Sequence, residues 1–174
     1  MPGESSLLVV LRPAQLALRW ARWRFDPSAR SGIPAHITVL YPFLPPAQIN
    51  QQVLQALEAT FSTTGSFAFR LSAVEWFDDR VAYIAVEPPE PFVSLTQAVM
   101  ARFPGHEPYG GTYESIVPHL TIGVQGERPG LARAAERVAK ILPIEAKASE
   151  VHLMVHGPGA RRWRLARSFA LGAR

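Results

Sequence analysis

The sequence predicts an α/β fold of two lobes around a central cleft, and three observations lead to this prediction. Short apolar runs alternate along the chain with segments of helical periodicity. The order of these elements in the first half is repeated in the second, as in an internal duplication. No Gly/Ser linker separates the halves near residues 78–80. We therefore expect a single two-lobed domain over residues 1–174, with repeat 1 at about 6–78 and repeat 2 at about 80–171.

The first repeat is predicted to run strand, helix, strand, helix, strand. An apolar run at 7–11 indicates a buried strand. The helix that follows, at 14–25, is indicated by Leu16, Trp20 and Trp23 at helical spacing. The remaining elements are a strand at 36–43, a helix at 47–61 and a strand at 67–77.

The second repeat follows the same order. Its elements are a strand at 81–86, a helix at 92–103, a long loop, a strand at 119–124, a helix at 131–142, a strand at 144–155 and a returning strand at 163–171. The third strands are also alike, since Leu71-Ser72-Ala73-Val74 and Ala148-Ser149-Glu150-Val151 occupy matching places. A diverged duplication explains this agreement.

Composition limits the class of protein. With 174 residues and 48% hydrophobic side chains, the chain can bury one good core, which excludes general disorder. It contains no cysteine, which excludes disulfides, thiolate metal ligands and a thiol nucleophile. The first apolar run is too short for a signal sequence or a membrane span, so we expect a cytoplasmic protein that does not enter a membrane.

Two similar motifs lie in the second strand of each repeat. They read His36-Ile37-Thr38-Val39 and His119-Leu120-Thr121-Ile122. Residues i and i+2 of a strand face the same side, so each strand presents one imidazole and one hydroxyl while the intervening apolar residues enter the core. A single copy would fit a strand-forming Thr beside a half-buried structural His. Two copies at equivalent positions favour a shared functional site.

The chemistry that suits this arrangement is phosphoryl transfer without a metal. Imidazole has a pKa near 6.5, so one His can accept a proton while the other, protonated beside a phosphate, donates one. Threonine hydroxyls can donate hydrogen bonds to the non-bridging oxygens. We predict that His36 and His119 are catalytic and that Thr38 and Thr121 bind phosphate. A zinc site is the competing interpretation, but neither motif offers a third ligand of the usual kind, so we expect no metal and no cofactor.

The motifs and their surroundings resemble those of the two-histidine (2H) phosphoesterase superfamily, in its 2′-5′ RNA ligase-like branch. The resemblance rests on residues 34–43, on Pro108-Tyr109-Gly110-Gly111 and on residues 117–122. It implies a bilobal fold in which antiparallel sheets surround a V-shaped groove with helices outside. It also implies opening of 2′,3′-cyclic phosphates, hydrolysis of 2′-5′ linkages or, in reverse, RNA ligation, with His36 and His119 as acid and base. A nucleotide-binding module without turnover is the other alternative.

Three further residues are weaker candidates for substrate binding. Tyr109 and Tyr113 lie in the Gly-containing loop before the second motif, where a ring could stack on a base. Arg30 lies in the corresponding loop of the first repeat. The net charge of +4 and the two arginine concentrations, at 12–30 and 161–167, favour a polyanionic partner only weakly. We expect a monomer that acts on an RNA terminus or a nucleotide.

Overall fold

The structure, a computed structural model, describes residues 3–112, 115–124 and 130–172. Within these ranges, eight strands and five α-helices alternate along the chain. The strands are β1 (Glu4–Val10), β2 (His36–Leu40), β3 (Phe67–Phe77), β4 (Val81–Glu87), β5 (His119–Val124), β6 (Ile144–Ala148), β7 (Glu150–His156) and β8 (Arg164–Ala170). The helices are α1 (Arg12–Phe25), α2 (Pro27–Arg30), α3 (Gln51–Ser62), α4 (Glu90–Arg102) and α5 (Leu131–Ala139). Short 3₁₀ helices occupy Pro46–Gln48 and Pro108–Gly111.

The strands form two antiparallel sheets of four. The first sheet has the order β2-β1-β7-β8 and the second has the order β5-β4-β3-β6. The two sheets have equivalent places for the motif strands, because β2 and β5 are both edge strands next to the first strand of their own repeat. The predicted fold class, α/β with antiparallel sheets, is confirmed.

Along each motif strand, buried side chains alternate with half-buried ones, as expected. In β2, Ile37 and Val39 are buried while His36 and Thr38 are only half-buried. The same pattern holds in β5, where Leu120 and Ile122 enter the core. These apolar residues join one continuous buried cluster that includes residues of both sheets and of α1, α3, α4 and α5. The functional side chains are therefore carried on strands anchored from behind by the core.

β3 and β7 each pair with at least one strand from the other half of the sequence. β3, from the first half, lies between β4 and β6, whereas β7, from the second half, lies between β1 and β8. Each sheet consequently contains strands from both halves of the sequence. The repeat boundaries near 6–78 and 80–171 remain a prediction, but neither half contains a complete sheet of its own.

Several elements differ from their predicted bounds: the strand predicted at 36–43 ends at Leu40 and the helix predicted at 131–142 ends at Ala139, and two larger differences have an identifiable cause. The single strand predicted at 144–155 is wrong: the chain leaves the second sheet after Ala148 and enters the first at Glu150. No Gly or Pro marks this bend, so periodicity alone could not locate it. The helix predicted at 47–61 begins later, at Gln51, because Asn50 caps it by accepting a hydrogen bond from the Val53 amide at 3.0 Å.

The helix predicted at 14–25 is confirmed as α1, but the stripe that predicted it faces solvent. Leu16, Trp20 and Trp23 are 81%, 39% and 55% exposed, while Leu18 and Phe25 on the opposite face are buried. Helical spacing predicted the helix without showing which of its faces is covered. Among the described helices, none is both long and apolar enough to cross a membrane.

Candidate active site

The two motif strands lie next to each other where the sheets meet. β2 and β5 are edge strands of different sheets and contact each other. His36 and His119 lie close enough for the charge of one to affect the pKa of the other. The structure therefore brings the two motifs together, although 82 positions separate His36 from His119 in the chain (residues 37–118).

Both imidazoles are held by the same kind of hydrogen bond. Nδ1 of His36 lies 2.8 Å from the carbonyl oxygen of Pro34, and Nδ1 of His119 lies 2.7 Å from that of Val117. A carbonyl oxygen can only accept, so each Nδ1 carries the hydrogen and donates it. This fixes the same tautomer in both rings and leaves Nε2 as the basic nitrogen of each.

Burial disfavours the protonated form of both histidines. It lowers the pKa of His36 from 6.5 to about 4, and the positive charge of Arg22 is the next largest contribution. Burial likewise lowers the pKa of His119, opposed by its hydrogen bond to Val117. Both rings are therefore neutral at neutral pH in the free protein.

The charge that acts on His36 belongs to a buried ion pair. Arg22 Nη2 lies 2.6 Å from Oδ2 of Asp26, and their side chains are only 3% and 5% exposed. Arg22 also donates to the Ser28 hydroxyl at 3.1 Å and to the Ile33 carbonyl at 3.4 Å. The pair thus ties α1 to the loop that leads into β2. Sequence analysis missed it, although an arginine in register with Leu18 on the buried face of α1 was an available signal.

His119 contacts two aromatic rings of the second sheet. Phe77 and Tyr83 stack at 4.0 Å between ring centroids, and their centroids lie 5.0 Å and 5.4 Å from that of His119. Tyr83 is also the cross-strand neighbour of Thr121 and donates to Oε2 of Glu75 at 2.7 Å. Burial and this hydrogen bond raise the pKa of Tyr83 to about 12, so the phenol keeps its proton. Nothing in the sequence pattern indicated that Phe77 and Tyr83 would contact His119, because this contact depends on the order of the strands in the sheet.

Comparison with known proteins decides the family. The sequence profile described as the 2′-5′ RNA ligase superfamily matches residues 12–160 of this chain. The chain belongs to the 2′-5′ RNA ligase superfamily. No curated protein sequence matches it.

Solved structures of low sequence identity share the fold. TT0787 of Thermus thermophilus is 18% identical with a TM-score of 0.66, and the match covers 100% of both chains. LigT of E. coli, crystallised with 3′-AMP, is 16% identical with a TM-score of 0.58 over 99% of both chains. A protein described as a phosphoesterase is 18% identical with a TM-score of 0.58, over 98% of this chain and 99% of its own. The 2′-5′ RNA ligase fold therefore extends over nearly the whole chain.

The three further residues predicted to bind substrate lie in different parts of this superfamily member. Tyr109 lies beside the residue that follows β2: its amide donates to the carbonyl of Tyr41 at 2.6 Å and its ring contacts that of Tyr41. Arg30 donates to the carbonyls of Trp23 and Arg24 at 3.3 Å, at the C-terminus of α1. Tyr113 lies outside the described residues. A substrate-binding role for each remains a prediction.

The donors around the groove of this 2′-5′ RNA ligase superfamily protein suit proton transfer. Within the described ranges, no group of three or more His, Asp or Glu side chains is arranged to hold a metal ion. Each motif instead brings one imidazole and one hydroxyl to the junction of the sheets. Such a set can accept a proton, donate a proton and hydrogen-bond an anion.

Proposed function

We propose that this chain is a metal-independent phosphoesterase that acts on the 2′,3′-cyclic phosphate or 2′-5′ phosphodiester of RNA ends or nucleotides. His36 and His119 supply general acid–base catalysis in this proposal. The observation that carries it is the matched pair of Nδ1 hydrogen bonds, which leaves an Nε2 on each side of the groove for proton transfer. All four groups come from one chain, which favours a monomer as the active unit.

The low pKa values of the free histidines fit a substrate-loaded mechanism. A phosphodiester carries a negative charge, which raises the pKa of an adjacent imidazole and loads it with a proton. Because burial and the charge of Arg22, offset only in part by Asp26, disfavour a charge on His36, we assign the proton to His119 and the role of base to His36. His36 then takes a proton from the attacking water as its oxygen bonds to phosphorus. The P–O bond to the leaving oxygen breaks, and His119 protonates that oxygen.

The threonines would act on the charge that develops at phosphorus. Thr38 and Thr121 lie on the same strand faces as the two histidines, two residues further on. Their hydroxyls can donate to the two non-bridging oxygens, where charge accumulates in the transition state. Replacing either hydroxyl with a methyl group should lower kcat more than it raises KM, by about 100-fold if the donor is fully engaged.

The ligands bound in structures of similar fold support nucleotides as substrates. LigT of E. coli has been crystallised with 3′-AMP and with phosphate. Those ligands carry the groups that the four motif side chains here would recognise. With the 5′-hydroxyl of a second RNA end in place of water, the same proton transfers would break the P–O3′ bond of a 2′,3′-cyclic phosphate and form a 2′-5′ phosphodiester, which is the ligase reaction.

The direct test is turnover of defined substrates in EDTA. Purified protein should hydrolyse a nucleoside 2′,3′-cyclic phosphate or a 2′-5′ dinucleotide, with products identified by chromatography. Thr38→Val and Thr121→Val should lose activity, whereas Thr38→Ser and Thr121→Ser, which keep the hydroxyl, should retain it. Absence of turnover with both substrates, or dependence on an added divalent metal, would contradict the proposal.

A further inference from the structure

The outer face of α1 is apolar and cationic at the same time. Its stripe of Leu16, Trp20 and Trp23 lies in solvent, and α1 contains no acidic residue. Arg12 and Arg19 are exposed beside the stripe. Leaving two indole rings in water costs free energy that burial would recover, and soluble proteins rarely keep such a patch without a use for it.

One side of the stripe opens into a depression between α1 and α5. The depression has a volume of about 570 Å³, and Trp20 and Arg137 both line it. The guanidinium carbon of Arg137 lies 4.1 Å from the centroid of the Trp20 ring, so the cation is stacked on the aromatic face. Lys140 adds a second positive charge. This depression offers a flat ring and two cations in one place.

The other side of the stripe has a smaller depression with the same chemistry. Its volume is about 230 Å³, and it is lined by Trp23 and Arg19 together with residues of the loop before β2. Pro34, whose carbonyl accepts the hydrogen bond from His36, is part of this lining. The second depression therefore borders the segment that holds one of the two catalytic histidines.

We propose that the outer face of α1 binds the single-stranded RNA chain that adjoins the reacting phosphodiester, an inference that rests on the proposed function. Unpaired bases would stack on the exposed Trp23 ring and against the stacked Trp20–Arg137 pair, and the phosphates between them would contact Arg19 and Lys140. Stacking on aromatic rings combined with a cationic track is how single strands are bound without sequence preference. The proximity of Pro34 connects this surface to the catalytic groove.

Charge and shape favour a nucleic acid over other occupants. A second copy of this chain would bring its own arginines against these, so like charges oppose self-association through this face. An anionic bilayer would suit a flat interface, whereas here the indole rings line depressions beside stacked cations. A chain of alternating rings and phosphates offers partners to both the aromatic and the cationic groups.

The first test measures binding and does not depend on catalysis. A fluorescent single-stranded RNA of about ten nucleotides with no terminal phosphate is titrated with wild-type protein and followed by anisotropy. Trp20→Ala and Trp23→Ala should each raise Kd by about fivefold or more, and the double variant by more than either. Trp20→Phe and Trp23→Phe should restore most of the affinity. The matched control is Leu165→Ala, which should leave Kd unchanged. Leu165 is an apolar residue of β8 that is 53% exposed.

The second test measures turnover against substrate length. The Trp20→Ala/Trp23→Ala variant should show a raised KM for an RNA that ends in a 2′,3′-cyclic phosphate. Its kinetics with a nucleoside 2′,3′-cyclic phosphate should match wild type. An unchanged RNA Kd in the double variant would overturn the inference, as would binding to phosphatidylglycerol vesicles in place of RNA. If no cyclic phosphate is hydrolysed, the proposed function fails while the anisotropy experiment still decides this one.

Discussion

At the scale of single residues, the proposed mechanism requires two imidazoles that stay neutral until substrate binds. Matched backbone carbonyls fix the tautomer of His36 and His119, and burial lowers the pKa of both. The two histidines are nevertheless unequal, because burial and then the charge of Arg22, offset in part by that of Asp26, lower the pKa of His36 to about 4. A pair of strands with identical motifs thus acquires different acid and base tendencies from its surroundings.

This environment should make folding stability depend on His36 in mildly acidic solution. Its folded pKa of about 4 lies below the unfolded value of 6.5, so the unfolded chain binds the proton more readily. The contribution of neutral His36 to the free energy of unfolding is therefore complete above pH 6.5 and is lost as the pH falls from 6.5 towards 4. The Tm of His36→Gln should therefore fall less than the Tm of wild type as the pH is lowered across this range.

The control for that measurement is Thr38→Val, which alters the same strand without removing a titrating group. Its Tm should follow the wild-type dependence on pH. Parallel curves for wild type and His36→Gln would show that His36 is not buried in its neutral form.

At the scale of elements, the position of β5 depends on its contact with α1. Gly123 follows Thr121 by two residues, and a Cβ at this position would overlap the Cβ of Phe25 and meet its backbone carbon at 3.1 Å. Glycine therefore allows the helix and the strand to approach closely. Because β5 carries His119 and Thr121, this packing also sets where half of the candidate site lies.

Gly123→Ala should consequently reduce both stability and activity. The added methyl group has to push α1 and β5 apart, at a cost of about 1–3 kcal/mol in the free energy of unfolding. Denaturant unfolding and turnover of a cyclic nucleotide measure the two effects. Gly157→Ala is the matched control, since a Cβ there meets nothing within 4 Å. Equal stability of the two variants would contradict the close-packing explanation.

Sequence periodicity predicted most helices and strands, but it did not predict which elements pack against one another. The motif strands were predictable because apolar residues alternate with His and Thr in a regular order, and β5 was placed at 119–124, as observed. The bend between β6 and β7 was not, because it reflects pairing with two different sheets. The Phe77 and Tyr83 rings were missed for the same reason: their contact with His119 exists only once β4 lies between β3 and β5.

At the scale of the whole molecule, the two halves of the sequence depend on each other. β3 leaves the first half to pair with β4 and β6, and β7 returns from the second half to pair with β1. The two halves of the predicted duplication therefore share strands between the two sheets. This exchange also holds β2 and β5 at the junction of the sheets, where the two motifs meet.

Fragments of this protein should not fold separately. A fragment of residues 1–78 lacks the partners of β3 and one partner of β1, so much of its apolar surface and many backbone groups would remain exposed. Circular dichroism should show little cooperative unfolding for 1–78 or 79–174 alone. An equimolar mixture should regain it. Cooperative unfolding of either fragment by itself would contradict a fold based on exchanged strands.

The central claim is that His36 and His119 act on one phosphate as a single acid–base unit. The most direct measurement is kcat/KM for a cyclic nucleotide in His36→Ala, His119→Ala and the double variant, with folding checked by circular dichroism. Each single variant should lose about 100- to 10,000-fold, and the double variant should be about as slow as the slower single one. Wild-type activity in either single variant, or losses that multiply in the double variant, would contradict the claim.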